Sequence, residues 1–315
     1  MAQNKNKGQI VEICMKEDGK SLQEKVNELR SKWSFYDKKR DENLTVPENM
    51  ANLYDISYGP HGESNLLDIY KTSDVSSPQA TILSIHGGAW VYGSKEVYKF
   101  YCMSLALRGF TVVNFNYRLA PENLFPAALE DINQALTFIE KHAGEYCIDK
   151  EKLVLVGDSA GAQLTSHYAA IFTNPAFAKL YGFTVPNIKI KALGLNCGIY
   201  SPKARLENGM ADIFWAYVGE KTDINSREFS EKIDVLSNIT PNFPPAFVMS
   251  SHRDFLLPQA RPMYDLLKSK GIVAVIKIYG APNRKDIAHV FHVNMNLPEA
   301  RECNDDECNF FRKFI

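Results

Sequence analysis

Through the middle of the chain, short apolar runs alternate with amphipathic segments, and this alternation predicts the fold. Ala80 to Ile85, Phe110 to Asn116 and Lys152 to Val156 are strand-length runs rich in β-branched and other apolar residues. Between them, Glu96 to Arg108, closed by Gly109, and Phe125 to His142 carry apolar residues at helical spacing. Further strands are predicted at Lys191 to Asn196, Ala246 to Ser250 and Val273 to Tyr279. A helix from about Pro258 to Lys270 separates the last two, and Leu297 to Ile315 closes the chain as a helix. Such alternation implies a mostly parallel sheet with helices on both faces, the α/β class.

The two ends of this pattern differ from its centre. From Ser21 to about Arg40, Leu22, Val26, Leu29, Trp33 and Tyr36 recur at helical spacing among charged residues, predicting one or two amphipathic helices ahead of the core. After Pro47 and Asn49, Asn52 to Tyr58 and Asn65 to Lys71 read as two strands joined by Gly59-Pro60-His61-Gly62, an antiparallel start. Gly198 to Pro245 carries no strand pattern; Ala211 to Val218 is helical in character and Asn238 to Pro245 is rich in Pro and Asn. The expected organisation is an amino-terminal helical segment over 1–50, forming part of a cap, and a catalytic domain over 51–315 with a lid insertion at about 198–245.

Composition narrows the partners. With 315 residues, 45% hydrophobic and 23% charged, the chain can bury one large core. A formal net charge of −1 gives no reason to expect nucleic acid or an anionic membrane, so a small neutral ligand is the expected partner, with a homodimer as the candidate assembly. Met1 to Gln9 is polar and no run of about 18 apolar residues occurs, which predicts a cytoplasmic protein. The six cysteines, Cys14, Cys102, Cys147, Cys197, Cys303 and Cys308, are spread too thinly for a disulfide scaffold. Neither the Cys303–Cys308 spacing nor any other context suggests a metal, and no cofactor is expected.

The chemistry centres on Gly157-Asp158-Ser159-Ala160-Gly161, where the run Lys152 to Val156 ends and helix-favouring residues resume at Ala160. In a G-x-S-x-G turn between strand and helix, the glycines permit a sharp reversal that leaves the serine hydroxyl projecting from the sheet. A serine nucleophile needs a base, a carboxylate to orient the base, and donors for the oxyanion. Gly87 and Gly88 follow the strand Ala80 to Ile85, so the N–H groups of Gly88 and Ala89, with that of Ala160 after the serine, are the candidate donors. Asp254, just past the strand Ala246 to Ser250, is the candidate acid. The base should follow the strand Val273 to Tyr279, where His289 and His292 both stand.

Four segments together resemble the hormone-sensitive-lipase-like carboxylesterases of the α/β-hydrolase superfamily. They are His86-Gly87-Gly88-Ala89-Trp90, Tyr117-Arg118-Leu119-Ala120-Pro121-Glu122, Phe125-Pro126-Ala127-Ala128-Leu129-Glu130-Asp131 and the serine motif. Ala89 stands where lipase-like members usually have a third glycine; that variant is similar to bacterial esterases related to acetyl-xylan and feruloyl esterases, and to kynurenine formamidases. The resemblance implies an α/β-hydrolase fold and a serine esterase acting on short-chain, acetyl-type esters of small molecules or carbohydrates; the alternatives are a formamidase or amidase with the same triad and, more distantly, a non-catalytic small-molecule receptor on the same fold. It selects His289, in His289-Val290-Phe291, over His292 as the base, and assigns Tyr117, Arg118, Glu130 and Asp131 structural roles. Trp90, Tyr92, Phe214 and Trp215 are the expected pocket aromatics.

Overall fold

The computed structural model describes residues 19–201 and 210–315. Met1 to Gln9, Cys14 and residues 202–209 of the expected insertion lie outside the described residues.

Eight strands form one sheet. At one edge, β1 (Met50–Ser57) and β2 (Leu66–Thr72) are antiparallel, and β2 is antiparallel to β4 (Thr111–Phe115). From β4 the order continues through β3 (Gln79–Ile85), β5 (Ile148–Asp158), β6 (Ile190–Asn196), β7 (Ala246–Ser251) and β8 (Ala274–Tyr279), every pair parallel. β5 is therefore central, and it begins at Ile148 rather than Lys152 because Ile148 and Asp149 pair with Gln79 and Ala80 before a register irregularity. Along its later part, Leu153 and Leu155 enter the core on one face while Val154 and Val156 enter the core on the other. Burial on both faces is why the run is continuously apolar rather than alternating.

Helices cover both faces. α1 (Leu22–Asp41) precedes the sheet; α2 (Lys95–Ala106) and the closing α9 (Pro298–Phe311) supply Tyr98, Tyr101, Phe310 and Phe311 to one core. α3 (Ala127–His142), α4 (Ala160–Thr173) and α8 (Leu257–Ser269) supply Ile132, Leu164 and Leu267 to the other. α3 starts at Ala127 rather than Phe125, with Pro126 as its non-helical N-cap at φ −103°, ψ 25°. Two seven-residue helices, α5 (Pro175–Tyr181) and α7 (Arg227–Ile233), are too short for a periodicity signal, although the Asn174 cap before Pro175 is a legible start. With α6 (Ala211–Val218), α7 occupies the stretch where no strand was expected.

α1 is fastened at several points. Its Ser21 and Glu24 form a capping box. Lys25 pairs with Asp212 of α6 at 3.0 Å. Arg30 donates from Nε to the Val91 carbonyl at 2.7 Å and from Nη2 to that of Ala120 at 2.9 Å, while its fork clasps Glu122.

Charged groups inside the fold are paired. Arg118 reaches Glu130 and the fully buried Asp131, each at 2.8 Å, and its backbone N–H also donates to Asp131. Lys95, buried at the start of α2, holds Asp55, Asp68 and Glu96. Glu307 of α9 is less well matched. It accepts from Asn196 Nδ2 at 2.8 Å and Tyr101 Oη at 3.3 Å, and its carboxylate fills the space that a Cβ at Gly194 would need. Burial pushes its pKa from 4.5 up to about 7. A raised acid stabilises the folded state fully below pH 4.5 and loses that contribution as pH rises through about 7. Glu307→Gln should therefore gain stability relative to the parent across that window and show a constant difference above it. Urea unfolding at a series of pH values checks this; a difference independent of pH refutes it.

Candidate active site

β5 ends at Asp158 and α4 begins at Ala160, so Ser159 alone makes the turn from strand to helix. Its backbone sits at φ 54°, ψ −117°, a conformation that costs a non-glycine residue roughly 1–3 kcal/mol and persists only where the surroundings impose it. The surroundings are close. A Cβ at Gly161 would collide with the carbonyl of Ile85 at the end of β3, and one at Gly157 with the Gly161 carbonyl and Thr165 Oγ1. Both glycines are thus required by the approach of β3, β5 and α4, and Ser159 N–H is fixed by the Asn196 carbonyl at 2.9 Å.

The three candidate triad residues meet. His289 Nε2 lies 3.0 Å from Ser159 Oγ, and His289 Nδ1 lies 2.7 Å from Asp254 Oδ1. Asp254 is held on every side: Oδ1 also accepts from Leu256 N–H at 2.8 Å and Oδ2 from Ser250 Oγ at 2.8 Å. Burial alone would raise its pKa, but His289, Leu256 N–H and Ser250 outweigh burial and leave the carboxyl below its usual range. The loop carrying His289 is tied to the loop carrying Asp254 by a bridge between Arg253 and Ala288 and by Ser251 Oγ donating to the Ala288 carbonyl at 3.2 Å. His292 is elsewhere. It is fully buried, packs edge-on against Tyr101 at 5.2 Å, and burial lowers its pKa to about 3.

The loop after β3 carries the candidate oxyanion donors Gly88 and Ala89. Gly88, Ala89 and Trp90 take φ values of 112°, 54° and 64°, three successive positive values that curl the backbone and keep side chains out of the way. Gly88 and Ala89 border the same cavity as Ser159 and His289. Ala160 opens α4, so its N–H belongs to the unpaired donors of a helix start. A side-chain relay braces the loop against the nucleophile turn. Gly87 N–H donates to Tyr98 Oη at 3.0 Å, and that hydroxyl donates to Asp158 Oδ2 at 2.7 Å. Tyr117 stacks on His86 at 4.1 Å and donates to its carbonyl at 2.7 Å. Burial lifts Asp158 to about 6, opposed by the Tyr98 hydrogen bond.

The cavity above Ser159 encloses about 360 Å³. Of the four aromatics expected to line it, Tyr92 does. The other three require correction, because they serve the core instead. Trp90 is buried, stacks on Tyr217 at 4.4 Å and donates to Gln163 Oε1 at 3.0 Å, while Phe214 and Trp215 are buried on α6. The wall comes from elsewhere: Trp33, Tyr36, Asp37 and Arg40 of α1, Met210 and Ile213 at the start of α6, and Phe255 beside His289. An amphipathic stripe containing Trp33 and Tyr36 was legible, but nothing in its spacing distinguishes a cavity wall from a core face.

One trio of metal-type donors lies here, since Cys197, Asp254 and His289 have ligand atoms within 4.8 Å of one another. The Asp254–His289 contact is already a 2.7 Å hydrogen bond, and burial followed by the nearby Asp254 carboxylate raises the Cys197 thiol well above its ordinary pKa. This donor set suits hydrogen bonding better than an ion, which needs a thiolate. Among the described residues, no helix is long and apolar enough to cross a membrane.

Sheet order, the sharp turn at Ser159, and an acid and histidine after the last two parallel strands, β7 and β8, together define an α/β-hydrolase fold. The solved structure of esterase B from Lactobacillus rhamnosis superposes with a TM-score of 0.85 over 94% of this chain and 96% of that one, at 22% identity. The BD-FAE family model matches residues 67–265, and the chain belongs to that family. It is 31% identical to the "Probable carboxylic ester hydrolase LipM" of Mycobacterium tuberculosis over 71% of this chain and 54% of that protein. It is 26% identical to an acetyl esterase of Salmonella agona over 74% of this chain and 72% of that one. The match thus spans about half the length of the mycobacterial relatives.

Proposed function

We propose that the protein is a serine carboxylic ester hydrolase acting on short-chain, acetyl-type esters of small molecules or carbohydrates through an acyl-serine. The observation that carries this reading is the continuous hydrogen-bonded chain from Asp254 through His289 to Ser159, opening onto a cavity bordered by Gly88 and Ala89. His289 Nε2 takes the proton of Ser159 as Oγ attacks the ester carbonyl, and Asp254 fixes the tautomer and stabilises the imidazolium. The N–H groups of Gly88, Ala89 and Ala160 receive the oxyanion. His289 then protonates the departing alcohol and afterwards activates water to release the acid.

A cavity of about 360 Å³ stands near the lower end of the roughly 300–1,000 Å³ typical of ligand pockets, which supports a short acyl group. In this reading α1 and the segment containing α6 act as the cap. The deciding experiment compares p-nitrophenyl acetate, p-nitrophenyl palmitate and an aryl formamide. The acetate should be hydrolysed fastest by kcat/KM. Faster turnover of the palmitate overturns the short-chain preference, and faster turnover of the formamide replaces the esterase reading by the formamidase one.

A further inference from the structure

We propose that the cavity over Ser159 continues into a second subsite that accepts the positively charged, ammonium-bearing alcohol portion of an ester. The inference rests on the esterase reading for its chemistry, and on the cavity walls for its specificity. The inner cavity adjoins an outer one of about 440 Å³, and the two share Asp37, Tyr92, Gly93 and Val97. Asp37 and Tyr92 therefore form the boundary between the two cavities.

Three features of that boundary favour a cation. First, it is aromatic: Tyr92 meets Trp33 edge-on at 5.6 Å, and Tyr36 borders the same inner cavity. Aromatic faces attract ammonium groups electrostatically, more strongly where water is partly excluded. Second, a carboxylate sits among these rings, half-buried, with Tyr92 Oη donating to Asp37 Oδ2 at 2.6 Å. Third, the neighbouring cation is already committed. Arg40 donates to Asp37 at 3.0 Å, but Nε and Nη2 both hold Asp41, at 2.7 and 2.6 Å, and Nη2 also reaches the Val97 carbonyl at 2.7 Å. Two carboxylates around one guanidinium leave this cluster negative.

The outer walls are mixed in charge. Taken together, the two cavities are lined by Asp37, Asp41, Glu42, Glu96 and Asp158, of which Glu96 is held by Lys95 and the buried Asp158 by Tyr98. Against these stand Arg40, Lys38 and Lys99. An anionic alcohol would be repelled by the Asp37 carboxylate at the boundary, and a neutral one would gain nothing from the charge.

The test uses two acetates of the same shape: acetylcholine, and its uncharged isostere in which a tert-butyl group replaces trimethylammonium. At low ionic strength the charged ester should have kcat/KM at least about tenfold higher. The ratio should fall as salt is raised from about 0.01 M to 1 M, because the attraction crosses solvent, and should fall toward one in Asp37→Asn. A parent ratio of one or less, or a ratio indifferent to salt, overturns the subsite. If neither ester nor p-nitrophenyl acetate is hydrolysed, the failure belongs to the esterase reading. Calorimetric titration with tetramethylammonium then decides the subsite alone: binding that weakens in Asp37→Asn supports it, and no binding refutes it.

Discussion

Replacing Ser159 with alanine should lower kcat for an acetyl ester by about 10⁶ while leaving the fold intact. The size follows from the position of the hydroxyl: Oγ is the atom 3.0 Å from His289 Nε2, so its removal deletes the covalent route rather than weakening it. Folding should survive because the strained backbone at Ser159 is held by Gly157, Gly161 and the Asn196 carbonyl, none of which involves the side chain. Stopped-assay turnover of purified protein, with circular dichroism as a control on folding, measures the effect. Near-parental activity in a folded Ser159→Ala sinks the mechanism.

The second large effect belongs to the base. His289→Ala should also lose about 10⁶ in kcat, and the double variant Ser159→Ala, His289→Ala should lose hardly more than either alone, because members of one proton-transfer unit are not additive. His292 offers the contrast. It faces Tyr101 in the core, so His292→Ala should cost stability by leaving a void yet keep kcat near the parental value in the folded fraction. If His292→Ala abolishes turnover and His289→Ala does not, the assignment of the base is wrong even though the 2.7 Å contact with Asp254 remains. Additive losses would point to two separate functions instead of one.

How far such residues could be read from the chain depended on what kind of constraint each one answers. The parallel strands were legible because burial on both faces leaves no room for polar residues in runs such as Leu153 to Val156. Gly157 and Gly161 were legible because contact between backbones excludes every other side chain, so the requirement is written into residue type. Trp90 misled for the opposite reason: a large aromatic beside a glycine loop satisfies either a pocket or a core, and its stacking on Tyr217, far along the chain, decides for the core. The pocket wall from α1 was hidden in the same way. The apolar stripe of an amphipathic helix states that one face is covered, not by what. Lys95 reads as an ordinary surface residue at a helix start, and only the gathering of Asp55, Asp68 and Glu96 by the fold explains its burial. Ionic clusters of this sort are products of tertiary assembly and leave no local pattern.

The attachment of α1 through Arg30 has a consequence for how molecules come and go. Its guanidinium holds the carbonyl of Val91, two residues beyond Ala89, and that of Ala120, and it is itself locked onto Glu122. Lifting the helix would drag on the strip of backbone that carries the candidate oxyanion donors Gly88 and Ala89. If Gly88 and Ala89 serve as oxyanion donors, entry by hinging α1 away would disarm the site each time it opened. In the esterase reading the helix behaves as masonry rather than as a door, and a substrate that reached Ser159 past Tyr92 and Asp37 would leave the candidate reactive groups in register.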